Sequence, residues 1–201
     1  MITIVDYGMG NLGSIQNMFK RVGVKAVATS CLEDIAKAEK ILLPGVGAYD
    51  QAMKCINEGG YREVLNRKAM IEKVPTLGIC LGMQLLTRSS EEGELDGLDW
   101  IDAIATRFPD AAGVKVPHMG WNVVTPSQES ELTKGLEEDS RFYFVHSYCV
   151  HVDNEEDSIL KTDYGIKFDA AIQKDNIYGC QFHPEKSHKF GMQLLKNFAS
   201  L

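Results

Sequence analysis

The chain alternates short apolar runs with amphipathic segments from its first residue onward. Met1 to Val5 is a short apolar run, followed by a glycine-rich turn and an amphipathic stretch to about Val22. Ala26 to Ala28 and Lys40 to Leu43 repeat the run, with Glu33 to Lys37 a short helix between them. Tyr49 to Asn57 and Tyr61 to Lys68 read as two further helices. Val74 to Ile79 is a run opened by proline, and Met83 begins an apolar-faced helix. This alternation predicts an α/β fold around a parallel sheet.

Beyond it the pattern changes. Ser89 to Leu98 is polar and predicts an exposed loop. From Trp100 to about Val124 come short alternating runs, Ile101 to Phe108 and Val114 to Val116, with Pro109, Gly113 and Pro117 between them. They predict antiparallel strands inserted into or appended to the sheet, with Pro117 to Asn122 as a turn. Arg141 to Val145 predicts a strand that delivers His146-Ser147-Tyr148 to a sheet edge. Asp153 to Ser158 is an acidic loop. Phe168 to Gln173 and Ile177 to Phe182 are the last strands, joined by a turn at Lys174 to Asn176. Ser187 then caps a closing helix whose apolar face is Phe190, Leu194, Leu195 and Phe198. No repeat, low-complexity tract or linker interrupts the chain, and 201 residues are expected to form one domain.

Composition narrows the function classes. At 44% hydrophobic and 24% charged residues the chain is an ordinary globular protein, without a membrane-length apolar run or a basic-then-apolar leader, so a cytoplasmic location is expected. A net charge of −7 with no lysine or arginine cluster argues against a nucleic-acid partner. Cysteines 31, 55, 80, 149 and 180 contain no C-x-x-C pair and read as reduced thiols. Histidines 118, 146, 151, 183 and 188 show no metal-ligand spacing. Neither metal nor cofactor is expected.

The most informative stretch is Gly78-Ile79-Cys80-Leu81-Gly82 between the fourth run and its helix. Glycines flank the cysteine because a sharp strand-to-helix turn strains the backbone and leaves no room for neighbouring Cβ atoms. This is a nucleophile elbow with sulfur for oxygen. It holds the thiol at the carboxyl edge of the sheet, beside a helix amino terminus that favours negative charge. The next N–H, that of Leu81, is placed to receive an oxyanion. Pro44-Gly45-Val46-Gly47, at another strand's end, can turn N–H groups outward and supplies a candidate second half of that hole. Near the end of the chain, Phe182-His183-Pro184-Glu185 puts an imidazole and a carboxylate after a strand. Pro184 is expected to keep the pair extended, with residues 183 and 185 on one side. Cysteine, histidine and glutamate together suit nucleophilic acyl transfer. One rival is Gly8, Gly10 and Gly13 in a G-x-G-x-x-G setting, the dinucleotide fingerprint. The acidic residue that should close the second strand is missing, because that strand ends in Thr29-Ser30-Cys31.

With the elbow, the His-Pro-Glu segment and Pro44 to Gly47 together, the chain resembles the class I (triad-type) glutamine amidotransferases over nearly its whole length. The resemblance implies a doubly wound, mostly parallel central sheet with helices on both faces and a small antiparallel insertion. It implies a triad of Cys80, His183 and Glu185, with an oxyanion site at Val46, Gly47 and Leu81. Gly47, Gln84, Ser147 and Tyr148 would hold the polar ends of glutamine. Asp6 to Leu12, Met83 and Pro117 to Asn122 resemble one branch, the glutaminase subunits that form heterodimers with a (β/α)8-barrel cyclase of histidine biosynthesis. In that branch Tyr7, Asn11, Trp121, Asn122 and Lys186 would face the barrel, and the N-terminal glycines would serve a tight subunit contact. A glutaminase alone accounts for all 201 residues, so ammonia would need a separate acceptor. The alternatives are a paralogous glutaminase feeding a sugar-modifying barrel in cell-surface polysaccharide synthesis, another cysteine hydrolase on this scaffold, and a nucleotide-binding module.

Overall fold

The computed structural model describes residues 1–110 and 113–201. Positions 111 and 112, inside the predicted antiparallel stretch, lie outside the described residues. In chain order come β1 (Ile2–Val5), α1 (Leu12–Arg21), β2 (Ala26–Thr29), α2 (Leu32–Ala36), β3 (Ile41–Leu43), α3 (Tyr49–Glu58), α4 (Tyr61–Asn66), β4 (Thr76–Ile79) and α5 (Leu81–Leu85). There follow β5 (Ser89–Ser90), β6 (Ala103–Arg107), β7 (His118–Val123), β8 (Thr125–Pro126), β9 (Arg141–His146), β10 (Tyr148–Val152), β11 (Ser158–Asp163), β12 (Lys167–Lys174), β13 (Ile177–Cys180) and α6 (His188–Ser200).

The central sheet runs β2-β1-β3-β4-β13-β12-β10-β6-β5. From β2 through β13 every pairing is parallel, and from β13 through β6 every pairing is antiparallel. Alternation along the parallel strands feeds two cores. Ile4, Leu42, Leu77 and Ile79 pack with Phe19 of α1 and with Leu194, Leu195 and Phe198 of α6. Val5, Ile41 and Leu43 face Ile35, Met53, Leu65 and Leu85 on the helices of the other side. Helices therefore cover both faces, as an α/β sheet buried on both sides requires.

Four local expectations are corrected. Val114 to Val116 forms no strand. Pro117 to Asn122 is not a turn: β7 starts at His118 and pairs antiparallel with β9 from His118↔His146 to Val123↔Arg141. The strand is hard to read because its polarity is inverted, with His118 and Asn122 turned inward and Met119, Trp121 and Val123 exposed. Consequently β9 belongs to a two-stranded ribbon rather than the main sheet. Ser89 to Leu98 is not a free loop, since β5 pairs with β6 and the Asp50 carboxylate accepts the N–H groups of Glu94 and Leu95. Ser187 does begin α6 but does not cap it with its side chain. Its hydroxyl donates to the His183 carbonyl and accepts from the Tyr143 N–H, tying the ribbon to the end of β13.

Candidate active site

Cys80 follows β4 with φ 55 and ψ −111, a left-handed conformation that costs an L-residue ~1–3 kcal/mol and persists only when its surroundings enforce it. The enforcement is visible. A Cβ on Gly82 would lie 2.0 Å from the Leu43 carbonyl oxygen, and one on Gly78 would lie 2.5 Å from the Gly82 oxygen. Only a chain without side chains at both positions can fold back this tightly. The Cys80 N–H donates to the Cys180 carbonyl at 2.7 Å, which fixes the elbow to the adjacent parallel strand β13.

That strand delivers the second half of the site three residues later. His183 Nδ1 and Glu185 Oε1 are 2.8 Å apart, and both side chains are almost fully buried. The route differs from the expected extended pair. His183 is extended, but Pro184 to Lys186 forms a 3-10 turn that swings Glu185 back onto the ring. Proline suits the first position of such a turn, where no N–H is needed.

Burial alone would push the imidazole down, but the Cys80 sulfur and the Glu185 carboxylate outweigh it and raise the pKa from 6.5 to about 10. His183 Nε2 meets no full hydrogen-bond partner among the described residues. Sγ itself lies 3.9 Å from the Val145 carbonyl and 3.8 Å from Gln181 Nε2.

These groups border a cavity of about 240 Å³ walled by Val46, Gly47, Cys80, Leu81, Gln84 and Glu92 on one side. Val145, His146, Ser147, Tyr148, His183 and Lys186 complete it. The volume is below the ~300–1,000 Å³ of drug-sized pockets and suits a single amino acid. Every expected oxyanion and substrate residue thus meets at one cavity. Leu81 opens α5, where the first-turn N–H groups lack intrahelical acceptors, and Gly47 has φ +122, as the expected outward turn requires. Gln84 Nε2 donates to the Tyr148 carbonyl at 3.3 Å, which leaves its buried Oε1 without a partner.

The expected partner-facing residues do not form one surface. Tyr7 is buried, and its hydroxyl donates to the Pro44 carbonyl at 2.5 Å, so it braces the Pro44 to Gly47 turn from behind. Asn122 points inward and donates to the Asp163 carbonyl at 2.9 Å. Asn11, Trp121 and Lys186 are exposed, with Asn11 also capping α1. Among the N-terminal glycines, a Cβ on Gly8 or Gly13 would meet nothing within 4 Å, whereas Gly10 lies against its own chain. A Cβ on Gly10 would press within 3.1 Å of Pro44, so the close approach is intramolecular.

Sequence reasoning missed Gln181, which is fully buried beside the sulfur, and Glu92, an exposed residue on the cavity wall whose carboxyl is pushed up by partial desolvation. Gln181 lies one turn of alternation before His183 and could have been read as a third inward group. Glu92 sits in a polar run with no local signal. No three His, Cys, Asp or Glu side chains among the described residues are grouped to hold a metal. No described helix is long and apolar enough to cross a membrane.

The model of the class-I glutamine amidotransferase family matches residues 3–200. A Pseudomonas aeruginosa protein named imidazole glycerol phosphate synthase subunit HisH 2 is 52% identical over 201 residues, covering 100% of both chains. A protein of the same name from Methanococcus maripaludis is 53% identical over 198 residues, 98% of each chain. The subunit HisH of Bdellovibrio bacteriovorus is 49% identical over 204 residues and covers 100% of both. Among solved structures, one described as PurLQS from Thermotoga maritima superposes with TM-score 0.74 at 15% identity over 99% of this chain and 97% of its own. A crystal structure described as a glutamine amidotransferase gives 0.73 at 16% identity, over 100% and 99%. At these identities the two structures share the fold.

Proposed function

The chain belongs to the class I glutamine amidotransferases, and from that premise we propose that Cys80, His183 and Glu185 are the triad of a glutaminase subunit of imidazole glycerol phosphate synthase. The observation that carries the reading is the buried 2.8 Å His183–Glu185 pair beside a strained cysteine on the neighbouring parallel strand. The full-length relatives support the synthase assignment. Nothing in them favours the sugar-aminating alternative.

Cys80 attacks the side-chain amide carbon of glutamine as thiolate. The oxyanion that forms is met by N–H groups at Leu81 and at Val46 and Gly47. Glu185 holds the Nδ1–H of His183, so Nε2 carries its proton toward the departing nitrogen. The C–N bond breaks, ammonia leaves, and the glutamyl group stays on sulfur as a thioester. Water, deprotonated by His183, then releases glutamate and restores the thiol. Gly47, Gln84, Ser147 and Tyr148 hold the polar ends of the substrate. Glu92 adds a carboxylate to the same wall, suited to the substrate's ammonium.

Subunit status follows from the relatives' names, and the barrel cyclase is the partner we propose for it. Exposed Met119, Trp121 and Val123 on β7, with Asn11 and Lys186, would form its docking face in a single-domain, cytoplasmic protein. Tyr7 and Asn122 act behind that face. The test is glutamate release by the reconstituted heterodimer. Wild type is expected to hydrolyse glutamine, and Cys80→Ala to lose that activity while ammonia still drives imidazole glycerol phosphate formation. A Cys80→Ala heterodimer that still releases glutamate would refute the triad.

A further inference from the structure

A chain of amide bonds behind the nucleophile has no assigned part in this chemistry. The Tyr148 carbonyl can only accept, and it takes the Gln84 Nε2–H at 3.3 Å. That single constraint sets every other amide. Gln84 must present nitrogen to its second neighbour, so Gln181 meets it with Oε1 at 3.2 Å. Gln181 is then obliged to aim its own Nε2 at Cys80 Sγ, at 3.8 Å. Gln84 Oε1, on the opposite side of its amide, is left buried without a donor, in a residue that lines the cavity.

Gln181 cannot rearrange easily. It is completely buried, and its backbone N–H is fixed to the Ala170 carbonyl of β12 at 2.9 Å. It lies on the strand end that carries His183. We propose that Gln181 is a positioning residue of the glutaminase site, keeping one N–H on the nucleophilic sulfur while fixing the orientation of the Gln84 amide in the cavity wall. This deepens the glutaminase reading and rests on it. A donor aimed at sulfur favours the thiolate over the thiol. An amide held by two bonds is already oriented when substrate arrives, so its ordering cost is met before binding.

The test uses the heterodimer and two variants. Gln181→Met keeps the volume and removes both bonds. Gln181→Glu keeps an acceptor for Gln84 but offers sulfur a carboxylate. The first readout is the pH profile of Cys80 alkylation by iodoacetamide, which requires no glutamine and so stands apart from the glutaminase reading. In both variants the profile is expected to move up by about one pH unit, with alkylation about tenfold slower at pH 7 and unchanged at high pH. The second readout is steady-state kinetics. Gln181→Met should raise KM and lower kcat, each by about tenfold, whereas Gln181→Glu should lower kcat with KM within about threefold of wild type. An alkylation profile superposing on wild type in either variant, or a Gln181→Glu enzyme with wild-type kcat, overturns the proposal. If Gln181→Met fails to fold, Gln181→Glu alone decides by the same alkylation profile. Wild-type heterodimer without glutaminase activity would instead refute the reading beneath it.

Discussion

Acidification should unfold this protein through one buried pair, His118 and His146. Their rings are joined at 2.9 Å, Nδ1 of one to Nε2 of the other. His146 Nδ1 donates to the Tyr148 carbonyl at 2.7 Å, so its Nε2 must accept from His118. His118 is stacked between Tyr164 and Phe144 at 3.9 and 4.8 Å. Burial lowers the pKa of His118 from 6.5 to about 4. Burial, aided by the charges of His118 and His183, lowers that of His146 to about 3. Both are therefore neutral when folded and take up protons on unfolding below pH 6.5. Their contribution to stability is complete above that pH and is lost as pH falls toward 4. His183 does not confuse this window. Its raised pKa gives a contribution fully present below 6.5 and lost only as pH climbs toward 10. At 1.36 kcal/mol per unit, His118 alone is worth on the order of 3 kcal/mol by pH 4.5. For a chain of this size that lowers Tm by about 6–12 °C. Circular-dichroism melts at pH 7 and 4.5 measure it, with His118→Phe as control because it keeps the stack and removes one of the two titrating groups, so that its acid loss should be smaller. Equal Tm values at the two pH values, or the same acid loss in His118→Phe, would refute the reasoning.

The remaining predictions concern the elbow, the triad and the exposed ribbon. Gly82→Ala drives a methyl against the Leu43 carbonyl and should cost about 3 kcal/mol or more, read as a lower urea midpoint. Glu185→Gln keeps the shape but loses the charge on His183, so kcat for glutamine hydrolysis should fall roughly 10²–10⁴-fold with KM little changed. An unaltered kcat would remove Glu185 from the triad. Trp121→Ala, on the exposed face of β7, should weaken heterodimer formation by about tenfold or more in titration calorimetry and leave the melting of the isolated chain within about 2 °C.

What could be read from the chain was whatever local periodicity and local chemistry encode. The five parallel strands, the helices between them, the elbow and His-Pro-Glu all carry their signal within a few residues. The ribbon escaped because β7 turns histidine and asparagine inward and tryptophan outward, the reverse of what alternation rules assume. β11 escaped because it borders an acidic turn and pairs irregularly with β12. The resemblance implies a surface place for Tyr7, while its burial under Pro44 is a property of three-dimensional packing. Gln181 and Glu92 join the site through long-range placement, which no short motif reports.

The sulfur and the imidazole rise from neighbouring strands, so their separation is governed by the ~4.8 Å spacing of a hydrogen-bonded sheet. Such a ruler barely stretches. The opposite wall of the cavity, Val46 and Gly47, stands instead on a loop after β3, whose Pro44 carbonyl accepts from the Tyr7 hydroxyl. A rearrangement of the cavity that spares the core therefore falls to that loop, leaving the nucleophile and its base where the strands set them.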